Sequence, residues 1–200
     1  MKSFTIIGDS FPARLRADLV DTEQCLNFKL SPELVSVAWA CRGGLTIERL
    51  VYNYSRGIMS IPKADAYVVH IGSNDLVEMS AAEFCRKTVV KLVPLLLSCG
   101  GSHVVFGQIL YRRPGHYTKS LDIVSYNAKV DRANAILEAE AGANDQFSFW
   151  KHKNITQSGH FNKMWSQDGV HLRVQEGHPQ FMRSLRGAIL FHGARVFGLR

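Results

Sequence analysis

The chain has 200 residues, 46% apolar and 20% charged, the ordinary mixture of a globular protein able to bury its own core, which excludes disordered, collagen-like and coiled-coil architectures. It carries 24 basic and 17 acidic side chains, a formal charge of +7. Residues 101–200 hold 13 basic and 7 acidic groups against 11 and 10 in residues 1–100, a surplus that admits nucleic acid, anionic lipid or acidic substrates as partners but does not bear on fold.

In chain order, the first β-type run is Phe4–Ile7, ending in Gly8-Asp9-Ser10 and turning toward a helix. Leu34–Ala40 is the second run, Ala66–Ile71 the third, His103–Ile109 the fourth and Phe147–Trp150 the fifth. These runs are nearly continuous rather than alternating, as expected of strands covered on both faces in a parallel sheet. Ser80-Ala-Ala-Glu83 reads as a capping box, and Phe84, Thr88, Leu92 and Leu95/Leu96 follow at helical spacing until Pro94 and Gly100 mark the end. Residues 120–141 repeat apolar positions at Ile123, Tyr126, Val130, Ala133 and Leu137; the C-terminal stretch does so at Phe181, Leu185, Ala188/Ile189 and Val196. Strand–helix alternation predicts a three-layer α/β fold with right-handed crossovers, in one domain spanning residues 1–200. The least patterned stretch is Lys151–Gln167, a polar loop bearing Phe161, Met164 and Trp165.

Cys25, Cys41, Cys85 and Cys99 form no CxxC pair and no dense framework. They read as reduced thiols, and neither a zinc site nor any cofactor is expected. The apolar stretch before Asp9 is too short for a signal-peptide core, and Lys91 and Pro94 interrupt the run Val89–Leu97. The expectation is a cytoplasmic protein without integral membrane association.

Ligands of open α/β sheets bind beyond the carboxyl ends of the strands, so what each strand delivers there decides the chemistry. Ser10 reads either as an exposed nucleophile or, with Asp9, as a helix N-cap. Beyond the second run, Cys41-Arg42-Gly43-Gly44 is either a plain loop or a tight turn bringing a backbone N–H to a ligand. Gly72-Ser73-Asn74-Asp75 offers the Asn74 amide to an oxyanion, or closes its own Asx turn. In Asp168-Gly169-Val170-His171 a carboxylate three residues before a histidine can orient that imidazole; a surface turn and a metal pair are the alternatives. Together these four segments supply a nucleophile, a backbone donor, a side-chain donor and an acid–base pair, the parts needed for acyl transfer.

Gly8-Asp9-Ser10, Gly44, Gly72-Ser73-Asn74-Asp75 and Asp168-Gly169-Val170-His171 resemble the SGNH (GDSL-type) hydrolase family, in the family's order and over residues 8 to 171. The resemblance implies a flavodoxin-like five-stranded parallel sheet and an esterase, lipase or deacetylase activity. It implies Ser10 as nucleophile, His171 as base and Asp168 as its partner, with Ser10, Gly44 and Asn74 holding the oxyanion. Phe11-Pro12 departs from the family's more usual Leu after the serine. Tyr126-Asn127, Asn134-Ala-Ile-Leu137, Phe149-Trp150-Lys-His and Asp-Gly-Val-His-Leu also resemble esterase domains of animal retroelement open reading frames. The chain contains no Gly-x-Ser-x-Gly elbow, P-loop or Gly-x-Gly-x-x-Gly.

Arg42, Arg112 and Arg113 follow strand ends and read as contacts for an anionic substrate or as solvated loop residues. Trp165 and Met164 either wall an acyl site or anchor their loop. The expected partner is a small-molecule ester with a short acyl group. Nucleic-acid contact through basic residues 101–200 is the alternative, and a membrane-surface lipase or phospholipase the second alternative. The sequence does not speak to oligomeric state.

Overall fold

All five apolar runs become strands of one parallel sheet in a computed structural model, which describes residues 1–19, 23–155 and 161–198. The strands are β1 (Lys2–Gly8), β2 (Val35–Cys41), β3 (Ala66–His70), β4 (His103–Gly107) and β5 (Phe147–Trp150). Their order is β2-β1-β3-β4-β5, with every neighbouring pair parallel. The chain therefore steps from β1 to one side and returns to β3 on the other. That reversal opens a crevice at the carboxyl ends of β1 and β3.

Helices cover both faces of this sheet. They are α1 (Ser10–Asp18), α2 (Glu23–Leu26), α3 (Ile47–Ser55), α4 (Asp75–Glu78), α5 (Ala81–Lys87), α6 (Val93–Ser98), α7 (Ile123–Gly142), α8 (Phe161–Met164) and α9 (Gly177–Phe197). One core joins Ile7, Tyr67, Val69 and Phe106 to Phe84 of α5 and to Tyr126, Val130 and Leu137 of α7. The other joins Phe4, Ile6, Val68 and Val105 to Phe11 and Leu15 of α1 and Phe181, Leu185 and Ile189 of α9. Adjacent strand residues thus serve opposite cores, as the pleat requires. β3 and β4 are buried throughout, whereas β2, on the sheet edge, is mostly half-buried.

Two local features depart from the sequence reading. Pro94 does not end its helix. A π-helical turn over Thr88–Leu92 precedes it, closed by the Val93 N–H on Thr88 O, and the helix runs on to Ser98. Pro94 lies directly after this π-helical segment, whose altered pairing accommodates a residue without an N–H. The second is α3, which no periodicity announced: Thr46 starts it, its side chain accepting from the Arg49 N–H at 3.3 Å. The capping box at Ser80 forms as read, with Ser80 Oγ accepting from Glu83 N at 3.2 Å. Among the described residues, no helix is long and apolar enough to cross a membrane.

Candidate active site

β1 delivers Ser10 by a turn that only a glycine allows. A Cβ on Gly8 would lie 2.3 Å from Pro12 Cγ and 2.5 Å from His70 O, so Pro12 packs directly on the strand end. Asp9 then caps α1, its Oδ1 accepting from the Phe11 N–H at 3.1 Å. This assigns the two alternatives at the turn to different residues. Asp9 takes the cap, and the Ser10 hydroxyl stays available. Phe11 is buried and sits 6.1 Å from the His171 ring, 5.3 Å from His70 and 6.0 Å from Trp165, centroid to centroid. It forms a support beneath the histidine and leaves the cleft itself unlined.

Asp168 and His171 sit on a loop tied off at its base. Trp165 and Leu172 pair as an antiparallel bridge, Ser166 N donates to His171 O at 2.8 Å, and Arg173 N donates to Met164 O at 2.7 Å. Trp165 is 3% exposed and belongs to the α1/α9 core. It therefore anchors this loop, and the cleft does not reach it, contrary to the substrate contact expected from its position in sequence. Within the loop, Asp168 Oδ1 accepts from the N–H groups of Val170 and His171, each at 2.8 Å. Its Oδ2 lies 2.8 Å from His171 Nδ1. A carboxylate only accepts, so Nδ1 carries the proton and Nε2 presents a lone pair. That lone pair faces Ser10 Oγ at 3.0 Å.

Burial pushes the Asp168 carboxyl up, but the two backbone N–H groups and the imidazole more than offset it and hold it below the usual carboxylate value. Burial also lowers His171; the bond to Asp168 opposes this, and the positive charges of Arg14 and Arg112 add to the lowering. The imidazole is neutral at pH 7 and able to accept a proton. Asp9 differs: burial raises it to about 7, and its Oδ2 is buried without a hydrogen-bond partner. Nearby His70, 4.0 Å from Asp9 Oδ1, is lowered to about 4 by burial.

The loops after β2 and β3 are joined to each other. Asn74 Nδ2 donates to Leu45 O at 3.2 Å, and Asp75 Oδ1 accepts from the Ile47 N–H at 3.0 Å. Asp75 thus braces the neighbouring loop across 28 residues of sequence instead of only its own turn. Asn74 makes no side-chain cap on α4. Gly44 takes φ +69°, a left-handed conformation that glycine adopts without strain. Ser10, Gly43, Gly44, Asn74 and His171 all line one cleft of about 570 Å³, together with Ala13, Arg14, Ala17, Arg112, Tyr117 and Val170.

The arginines divide. Arg42 is exposed and does not line the cleft; its contribution is a backbone N–H donated to Gly8 O at 2.9 Å. Arg113 likewise turns its main chain to the loop of Asp168 and His171, donating to Gly169 O at 2.8 Å. Arg112 does line the cleft, as expected. Two features sequence reasoning missed hold it there. Asn134 of α7 grips Ile109 through both N–H (2.9 Å) and C=O (3.0 Å), and Asn127, seven residues earlier, grips Arg112 the same way, both at 3.0 Å. The Arg112 guanidinium lies 4.9 Å over the Tyr126 ring and donates to Ser73 O at 2.9 Å. Arg14 and Tyr117 were also missed. The seven-residue spacing of the asparagines on one helix face was visible in sequence; their target was not. Among the described residues no group of three metal-ligating side chains gathers. Of the loop 151–167, residues 156–160 and the side chain of Phe161 lie outside the described residues.

No protein-family model matches the sequence. No curated protein matches it either. Solved structures do match in fold. A Bacteroides fragilis protein provisionally assigned as an acylhydrolase superposes with a TM-score of 0.73 at 18% identity, over 95% of this chain and 87% of that one. A GDSL-like lipase from Bacteroides thetaiotaomicron gives 0.70 at 16% identity, over 95% and 88%. A carbohydrate acetylesterase family member from Sinorhizobium meliloti gives 0.67 at 14%, over 96% and 98%. At these identities the likeness establishes the fold alone.

Proposed function

We propose that this chain, whose fold is that of the SGNH (GDSL-type) hydrolases, is a serine esterase acting on carboxylic esters with short acyl groups, all its parts within one domain. The observation that carries the reading is the continuous line Ser10 Oγ, His171 Nε2 (3.0 Å), His171 Nδ1, Asp168 Oδ2 (2.8 Å) in the wall of a cleft. In this reading Ser10 Oγ attacks the ester carbonyl while His171 Nε2 takes its proton. The C–O bond to the alcohol then breaks, and His171 passes the proton to the leaving oxygen. A water, deprotonated by the same imidazole, releases the acyl group as a carboxylic acid and restores Ser10. Asp168 stays ionised and stabilises the imidazolium. The backbone N–H groups of Ser10 and Gly44 and the Asn74 amide receive the oxyanion.

Among the described residues the cleft's apolar lining is Ala13, Ala17, Val170 and the Tyr117 ring, a small patch that supports a short acyl group over a long chain. An active-site-directed fluorophosphonate is expected to label Ser10 and no other residue. Failure to label it, beside a reference serine esterase that is labelled, would overturn the nucleophile assignment.

Two further results are expected. Asn74→Ala removes one oxyanion donor and should lower kcat by about a hundredfold, or about 3 kcal/mol. Steady-state kinetics on para-nitrophenyl acetate measure it, and a change within threefold would remove Asn74 from the hole. The second concerns pH. His171 works as a base only when neutral, and its pKa is held below the ordinary histidine value of 6.5. Activity should therefore be lost as pH falls through a midpoint below 6.5. A kcat/KM profile with its acid limb above 6.5 contradicts this.

A further inference from the structure

We propose that Arg14 and Arg112 select esters bearing an anionic oxyacid group, a carboxylate or a phosphate, a few bonds from the scissile carbonyl. This rests on the esterase reading of the same cleft. α1 turns Ser10, Ala13, Arg14 and Ala17 toward the cleft, the i, i+3, i+4, i+7 face of one helix. Arg14 thus stands one helical turn beyond the nucleophile, the spacing at which side chains are neighbours. The alanines flanking it leave room for a ligand along the helix. Arg112 comes from another wall, beside Asn74, fixed by the asparagine clamp and by its seat on Tyr126.

The charge of this pair is only partly answered from within the protein: Arg112 acts on buried Asp9, where its charge opposes the rise that burial imposes. Among the described residues no acidic side chain lines the cleft. Neither arginine forms an ion pair with a carboxylate among the described residues, whereas Lys2, Lys87, Lys91 and Lys151 all do. Of the nearby acids, Asp168 engages His171, Asp75 the Ile47 N–H and Asp18 the His178 ring at 3.2 Å, while Asp9 caps α1 through Oδ1 alone. The Arg112 Nε is buried without a hydrogen-bond partner. That nitrogen is closed off and Nη2 is held by Ser73 O, so what the guanidinium offers a ligand is its charge and the edge that lines the cleft. Arginine's planar fork matches the oxygens of a carboxylate or phosphate, so such a ligand is the one the site completes. Both charges also lower the His171 pKa, evidence that their field reaches the reacting centre.

Acetyl esters of three para-substituted phenols test the proposal: para-acetoxybenzamide, para-acetoxybenzoate and para-acetoxyphenyl phosphate, each rate divided by that ester's own hydroxide-catalysed rate. At low salt, kcat/KM for at least one anionic ester should exceed that for the amide by about tenfold or more, as expected for a charge-assisted contact. The carboxylate and phosphate arms identify which oxyacid is preferred. Added salt should shrink the preference, and Arg14→Gln and Arg112→Gln should each lower the anionic-to-neutral ratio. A ratio near one in the unaltered protein, or a ratio unmoved in both variants, overturns the proposal while Ser10-dependent hydrolysis of the amide upholds the esterase reading. If no ester is turned over above the Ser10→Ala blank, the esterase reading fails. Calorimetry on Ser10→Ala then still decides the anion site. Para-hydroxybenzoate or para-hydroxyphenyl phosphate should bind where para-hydroxybenzamide does not, and binding of neither overturns the proposal. Arg14 is exposed on α1, so its variant leaves folding intact even where Arg112→Gln does not.

Discussion

Ser10→Ala is expected to remove ester hydrolysis, lowering kcat by about 10⁴- to 10⁶-fold on para-nitrophenyl acetate. Among the described residues lining the cleft, Ser10 is the only aliphatic hydroxyl, and it faces the imidazole lone pair. The fold should not suffer. Asp9, not Ser10, makes the helix cap, and alanine is the best helix former, so thermal stability should stay within about 0.5 kcal/mol of the parent. Activity within tenfold of the parent, in protein that melts normally, would mean that the chemistry lies elsewhere.

Asp168→Asn is expected to lower kcat by about 10⁴-fold, nearly as much, while leaving every atom of Ser10 and His171 in place. The reason is the arrangement of acceptors. Asp168 Oδ1 receives two backbone N–H groups and Oδ2 receives Nδ1 of His171. An asparagine has one acceptor oxygen, which the two backbone donors claim, so its NH₂ group turns to Nδ1. Two donors cannot face one another, and the imidazole must carry its proton on Nε2. In that tautomer His171 donates toward Ser10 and cannot take its proton. Kinetics alongside a circular dichroism check on the fold measure the effect. A loss under tenfold would show that Asp168 is only a loop brace.

Most of the fold was legible in the sequence because its signals are local. The five apolar runs became the five strands to within about two residues at each end, and the positions Tyr126, Val130, Ala133 and Leu137 are the buried stripe of α7. Where the reading failed or stayed open, backbone geometry or a contact beyond the immediate neighbours decided the outcome. Pro94 looked like a stop because proline usually is one; the π-helical turn before it accommodates a residue without an N–H. Trp165 looked like a pocket wall because it sits near Asp168 in sequence, yet the bridge to Leu172 turns it into the core under Phe11.

The site divides along the same line. Sequence by itself singled out the candidate reacting groups, because a serine after a strand, a Gly-x-Asn-Asp loop and an Asp-x-x-His loop each carry their chemistry in a few adjacent residues. It also determined the positive charge of the chain. Only the tertiary structure decided that Asp9 caps and Ser10 does not, since both sit at the same turn and the choice depends on where His171 arrives from 161 residues away. It likewise decided which arginines line the cleft. Arg42, Arg112 and Arg113 are indistinguishable in sequence, and Arg14 drew no notice within its helix. The clamp from α7 and the direction of one helix face bring Arg112 and Arg14 to the cleft, and these contacts are made across layers that no local pattern records.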